Sequence, residues 1–135
     1  ISSLSVGSSA TNVVFSVVDF GQGIPTKIRN YAATSNPEYA KKLPADACLR
    51  WAFTRGNTTS ITDGIPRGLG LDLLKEFVQL NEGKLEVYSN EGYVRIDKDG
   101  ENYQNLQGIS FDGTIFHITL RCDEKYYRFI DEPIS

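Results

Sequence analysis

The chain has 135 residues, a formal charge of −3, and 40% apolar and 23% charged side chains. That make-up describes one ordinary globular domain with enough material for a core. Net negative charge without a Lys/Arg cluster excludes a nucleic-acid binder working by bulk electrostatics, and no apolar run nears the ~20 residues that span a bilayer. Cys48 and Cys122 form no CxxC pair, which suits buried reduced thiols in a cytoplasmic protein, with a disulfide as the alternative. The chain holds no methionine and opens on Ile1, so it is read as a piece of something longer.

The first clear strand is "TNVVFSVVD", where Val13, Phe15, Val17 and Asp19 share one face and Val14, Ser16 and Val18 the other. It stops at Gly21 and Gly23, and Pro25 suits the first turn of a helix over "PTKIRNYAA". "NPEYAKKL" and "ADACLRWAF" predict two more helices, with Asn36 and Asp46 near their N-caps. "TRGNTTSITDGIPRG" has no apolar periodicity and reads as a long loop of the kind that serves as a lid. The helix after it carries Leu71, Leu74 and Val78 on one stripe and Leu73, Phe77 and Leu80 on the next, an arc broad enough to predict deep burial. Gly83 closes that helix, and a strand follows with Leu85 and Val87 facing one way. "SNEGY" predicts a hairpin turn, "YVRIDKD" its return strand, and residues 99–108 an exposed loop. In the last strand, "GTIFHITLR", Thr114, Phe116, Ile118 and Leu120 share a face. His117 falls on the opposite face, against a catalytic or phosphoacceptor role. The pattern predicts an α+β domain over residues 1–122 and a patternless tail over 123–135, its mixed, mostly antiparallel sheet carrying helices on one face.

Two stretches carry chemistry. In "DFGQGI" a carboxylate at a strand end can accept a hydrogen bond from an amine such as that of adenine, and glycines let a planar base approach the main chain. The plainer alternative is a tight turn whose Asp19 binds its own backbone. A dinucleotide fingerprint fails, because Thr26 stands where the third glycine is needed and Asp19 precedes the turn. No GxxxxGK[ST] loop occurs. In "GIPRGLGLDLL", Gly68 and Gly70 leave the first helical N–H groups uncovered, where phosphate oxygens can sit on the positive end of the helix. Arg67 adds a charge there, and Thr58, Thr59 and Ser60 offer hydroxyls.

"VVDFGQGIP" resembles the DxGxG adenine box, and "RGLGL" the second glycine box, of the GHKL (histidine kinase-like) ATPases. "WAFTRGNTTS" is similar to that family's lid segment and "GTIFHITL" to its closing strand, in the correct order from about residue 12 to residue 121. The resemblance implies the Bergerat fold, an α/β sandwich with ATP between the helical layer and the lid. It also implies roles. Asp19 takes the adenine amine, Gly21, Gly23 and Ile24 form the base-binding turn, and Thr114 assists through a water. Gly68, Leu69, Gly70 and Leu71 hold phosphates at the helix start, with Arg67, Thr58 and Thr59 beside them.

The family's first motif, a helix bearing a general base and a magnesium-binding Asn, is not found in "ISSLSVGSSA". No catalytic residue and no metal ligand are therefore assigned within the chain, and the Mg²⁺ ligand is expected upstream. The resulting expectation is a histidine-kinase-like ATP-binding domain of a cytoplasmic signalling protein. It couples ATP to phosphoryl transfer or hydrolysis in the intact protein, with a protein partner or second copy and neither nucleic acid nor membrane contact. The alternative is a non-catalytic nucleotide-binding module acting through protein contacts.

Overall fold

Branched and aromatic side chains alternating through Asn12–Asp19 and Phe111–Arg121 favour extended backbone, and these two segments form neighbouring strands of the central sheet. The computed structural model describes residues 2–8, 12–54, 60–62, 65–67 and 71–121. In chain order the elements are β1 (Ser2–Ser8), β2 (Asn12–Asp19), α1 (Ile24–Ala33), α2 (Pro37–Lys41), α3 (Ala45–Phe53), β3 (Ser60–Thr62), β4 (Ile65–Arg67), α4 (Leu71–Leu80), β5 (Lys84–Asn90), β6 (Gly92–Asp97), β7 (Gly100–Asn105) and β8 (Phe111–Arg121). The main sheet is six-stranded in the order β1-β2-β8-β5-β6-β7. Every pairing in it is antiparallel, so the parallel component implied by a mixed sheet is not found among the described residues.

One face of this sheet carries the helices. Leu85, Val87, Val94 and Ile96 point from β5 and β6 into a cluster with Leu49 and Phe53 of α3 and Val78 of α4, all fully buried. Removing each such side chain from water contributes about 1.5–3 kcal/mol. A second cluster, Ile28, Cys48 and Ala52, joins α1 to α3. Ile24 and Leu71, the first residues of α1 and α4, each pack against both clusters. The chain is thus an α+β fold, as the alternation of helical and strand periods predicts.

Several expectations need correction. The uncharged opening segment pairs along β2 as β1, with Leu4 opposite Val17 and Val6 opposite Phe15. Residues 100–105 form the edge strand β7 instead of a loop. Their polar side chains stay exposed on an edge while only Tyr103 turns inward, so period-2 hydrophobicity never signals a strand there. Within the lid segment, β-branched Ile61, Thr62 and Ile65 lie in a two-stranded ladder, β3 with β4. The arc of α4 is narrower than its sequence implies, with Leu73 and Leu80 exposed. Glu82, at φ 55°, makes the left-handed turn after α4, and the Gly83 N–H closes it on the Val78 carbonyl at 2.8 Å. Cys48 is buried and free, and burial, its largest influence, pushes the thiol up. Cys122 and the 123–135 tail lie outside the described residues.

Candidate functional site

The end of β2, the turn into α1 and the start of β8 meet on the helix-covered side of the sheet. Register fixes this meeting: Asp19 stands directly opposite Thr114, two positions along from Val17 opposite Phe116 and four from Phe15 opposite Ile118. Phe116 and Ile118 pack on the main core cluster, so Asp19 and Thr114 share the core face, as the alternation in each strand predicts. Asp19 is half-buried and Thr114 buried.

Asp19 Oδ1 accepts the Gly21 N–H at 2.9 Å, the self-bonded turn that is the plainer reading of this motif. A carboxylate has two oxygens, and among the described residues Oδ2 has no hydrogen-bond partner. It stays available to an outside donor. A Cβ at Gly21 would stand 3.2 Å from Asp19 Oδ1 and crowd the same carboxylate. The absence of a side chain at Gly23 has an internal cause, because the space its Cβ would need is filled by the Asn90 side chain.

The start of α1 draws its caps from the end of β5. Gly23 at the N-cap offers no side chain and Pro25 has no N–H. The Ile24 N–H donates to Ser89 Oγ at 2.7 Å and the Thr26 N–H to Asn90 Oδ1 at 3.0 Å. The Thr26 hydroxyl also donates to Asn90 Oδ1 (2.9 Å), while Asn90 Nδ2 donates to the Phe111 carbonyl (3.0 Å). Ser89 Oγ further meets Thr114 Oγ1 at 2.7 Å and the Gly113 carbonyl at 2.9 Å. The open amides of α1 are therefore already used inside the protein and do not form an anion site. Arg29 fastens the same helix further along, with Nη1 2.8 Å from Glu91 Oε1 and Nε donating to the Leu43 carbonyl.

Ser89, Asn90 and Gly113 escaped the sequence reading. Ser89 and Asn90 sit in "SNEGY", which reads as a hairpin turn, yet both belong to β5 and are buried, and the turn narrows to Glu91. Their only signal is that two polar residues continue the strand beyond Leu85 and Val87.

Of the second glycine motif, Leu71 is placed at the start of α4, half-buried against both core clusters. Arg67 ends β4 opposite Ser60. Thr58, Thr59, Gly68, Leu69 and Gly70 lie outside the described residues. Because Ile24 and Leu71 share both clusters, the helix starts that follow the two glycine motifs converge.

His117 lies on the other face, as its alternation predicts. Its Nδ1 is 2.8 Å from Ser16 Oγ, and its ring meets Tyr88 edge-on. On that face the Tyr93 hydroxyl donates to Glu86 Oε2 at 2.7 Å. This bond, the largest influence on Glu86, holds its carboxyl below the usual carboxylate range, while burial and the Glu86 contact push the Tyr93 phenol up. Among the described residues no group of His, Cys, Asp and Glu could hold a metal ion, and no helix is long and apolar enough to cross a membrane. Neither protein-family models nor curated proteins give a match to this chain.

Proposed function

We propose that this chain is part of an ATP-binding domain of the GHKL type, with the Bergerat arrangement of sheet, helices and lid. In the intact protein it couples ATP binding to phosphoryl transfer or hydrolysis in cytoplasmic signalling, with a protein partner or a second copy. The observation that carries this reading is the register pair Asp19–Thr114. Two motif residues separated by most of the chain lie opposite one another, on the core face and beside the turn at Gly21. The packing of Ile24 and Leu71 on shared clusters supports it further, since it draws the glycine-motif helix starts together.

In this reading Asp19 Oδ2 accepts from the exocyclic amine of adenine while Oδ1 holds the turn. Thr114 supports the base from the neighbouring strand through a water. The main-chain N–H groups at Gly68, Leu69, Gly70 and Leu71 hold phosphate oxygens at the start of α4, aided by Arg67, Thr58 and Thr59. Magnesium held by ligands outside these residues would neutralise charge on the phosphates.

Calorimetric titration of the full chain with ATP tests it. Asp19→Asn exchanges an acceptor oxygen for an amide and is expected to weaken binding by about 1–3 kcal/mol. Unchanged affinity in a folded Asp19→Asn protein overturns the assignment.

A further inference from the structure

Ser89 is fully buried and its hydroxyl has three partners: the Ile24 N–H at 2.7 Å, the Gly113 carbonyl at 2.9 Å and Thr114 Oγ1 at 2.7 Å. A serine hydroxyl has one hydrogen to give and two lone pairs to receive. The amide can only donate and the carbonyl can only accept. Serine's single hydrogen is therefore spent on Gly113, and one lone pair on Ile24. The contact with Thr114 is then satisfied in one way only, with Thr114 donating. Any other arrangement leaves the Gly113 carbonyl without this bond in a buried setting, which is costly.

Thr114 has thus given its only hydrogen inward. What it can offer elsewhere is lone pairs, and its register neighbour Asp19 likewise offers an acceptor oxygen. A base amine meets the acceptor oxygen of Asp19. A water between Thr114 and the base must give one hydrogen to Thr114 and keeps the other for an unprotonated ring nitrogen. A carbonyl beside a protonated ring nitrogen meets lone pairs at the first position and a water hydrogen at the second.

We infer that Ser89 is a positioning residue which, by fixing the direction of the Thr114 hydroxyl, makes the site discriminate an amino-bearing purine from its keto counterpart. The inference rests on the adenine-nucleotide reading above and adds to it the group that sets base selectivity. Ser89 touches no base itself and acts through Thr114.

The test is an NMR titration of the full chain with ATP and, separately, with ITP, whose base differs from adenine by a carbonyl in place of the amine and a proton on the adjoining ring nitrogen. Wild type is expected to prefer ATP. Ser89→Ala frees the Thr114 hydroxyl to turn and donate, and should lower the ATP-to-ITP preference by about tenfold. Thr114→Val, nearly equal in shape, should lower it as well. Ser89→Ala added to Thr114→Val should then change the preference no further, because the group through which serine acts is gone. Equal losses for both nucleotides in Ser89→Ala, or a further drop in the double variant, overturn the inference, since a merely structural role would give either. If Ser89→Ala does not fold, Ser89→Cys is read for the same ratio. Wild type binding ATP and ITP alike overturns this inference alone; wild type binding neither overturns the adenine reading together with it.

Discussion

Gly113 carries a φ of +129°, and a Cβ built there would collide with the Asp19 carbonyl oxygen. Both restrictions act on the residue that sets β8 against the end of β2, so this glycine governs how closely Thr114 approaches Asp19. Gly113→Ala is expected to cost about 2–4 kcal/mol, backbone strain and overpacking together. Gly108 provides the control, since its φ of +71° is also left-handed but nothing lies within 4 Å of its Cβ position. Alanine there should cost only the strain, about 1 kcal/mol. Chemical denaturation of the two variants checks this, and equal losses would mean that the β8 end yields freely. Asp19 and Thr114 are legible from sequence because one ends a strand of clean alternation and the other leads the alternation Thr114, Phe116, Ile118 within β8. Gly113 is not, because its demand comes from a carbonyl more than ninety positions away in the chain.

Among elements, the strands pairing within the C-terminal meander are tied by side chains as well as by backbone. The Tyr93–Glu86 bond joins β6 to β5 on the face away from the helices. Because the carboxyl of Glu86 is lowered in the folded protein, the unfolded chain binds the proton more readily. The bond's contribution is therefore complete above the ordinary carboxylate range and is lost as pH falls through the lowered value. Tyr93→Phe should flatten the acid limb of the stability curve below the ordinary carboxylate range, leaving its shape near neutrality unchanged. Superimposable acid limbs for the two proteins would show that the bond contributes nothing. Helices α1 and α3 were legible almost to the residue, because Pro25 marks the start of one and the apolar face of 45–53 is unbroken. Strands at the sheet's edges were not: β7 buries too little to show a period, and the Ser–Leu–Ser–Val alternation of β1 is short and weakly apolar.

For the whole molecule, the last of the described strands sits in the middle of the sheet. β8 pairs with β2 on one side and β5 on the other, and its register with β2 runs from Asn12 opposite Arg121 to Asp19 opposite Thr114. Closing such distant contacts before any reward is collected slows folding, so refolding is expected in the millisecond-to-second range. A chain ending at Ile109 should lose cooperative unfolding altogether, because the β1–β2 hairpin and the β5–β6–β7 meander are then left without the strand between them. A sharp calorimetric transition in that truncated chain would disprove this. On the ribosome the consequence is an order of events. The β1–β2 pair emerges well before its neighbour and must wait until residues 111–121 have been synthesised. Asp19 acquires Thr114 as its neighbour only then, so a chain interrupted before residues 111–121 would be an aggregation-prone substrate for chaperones and proteases.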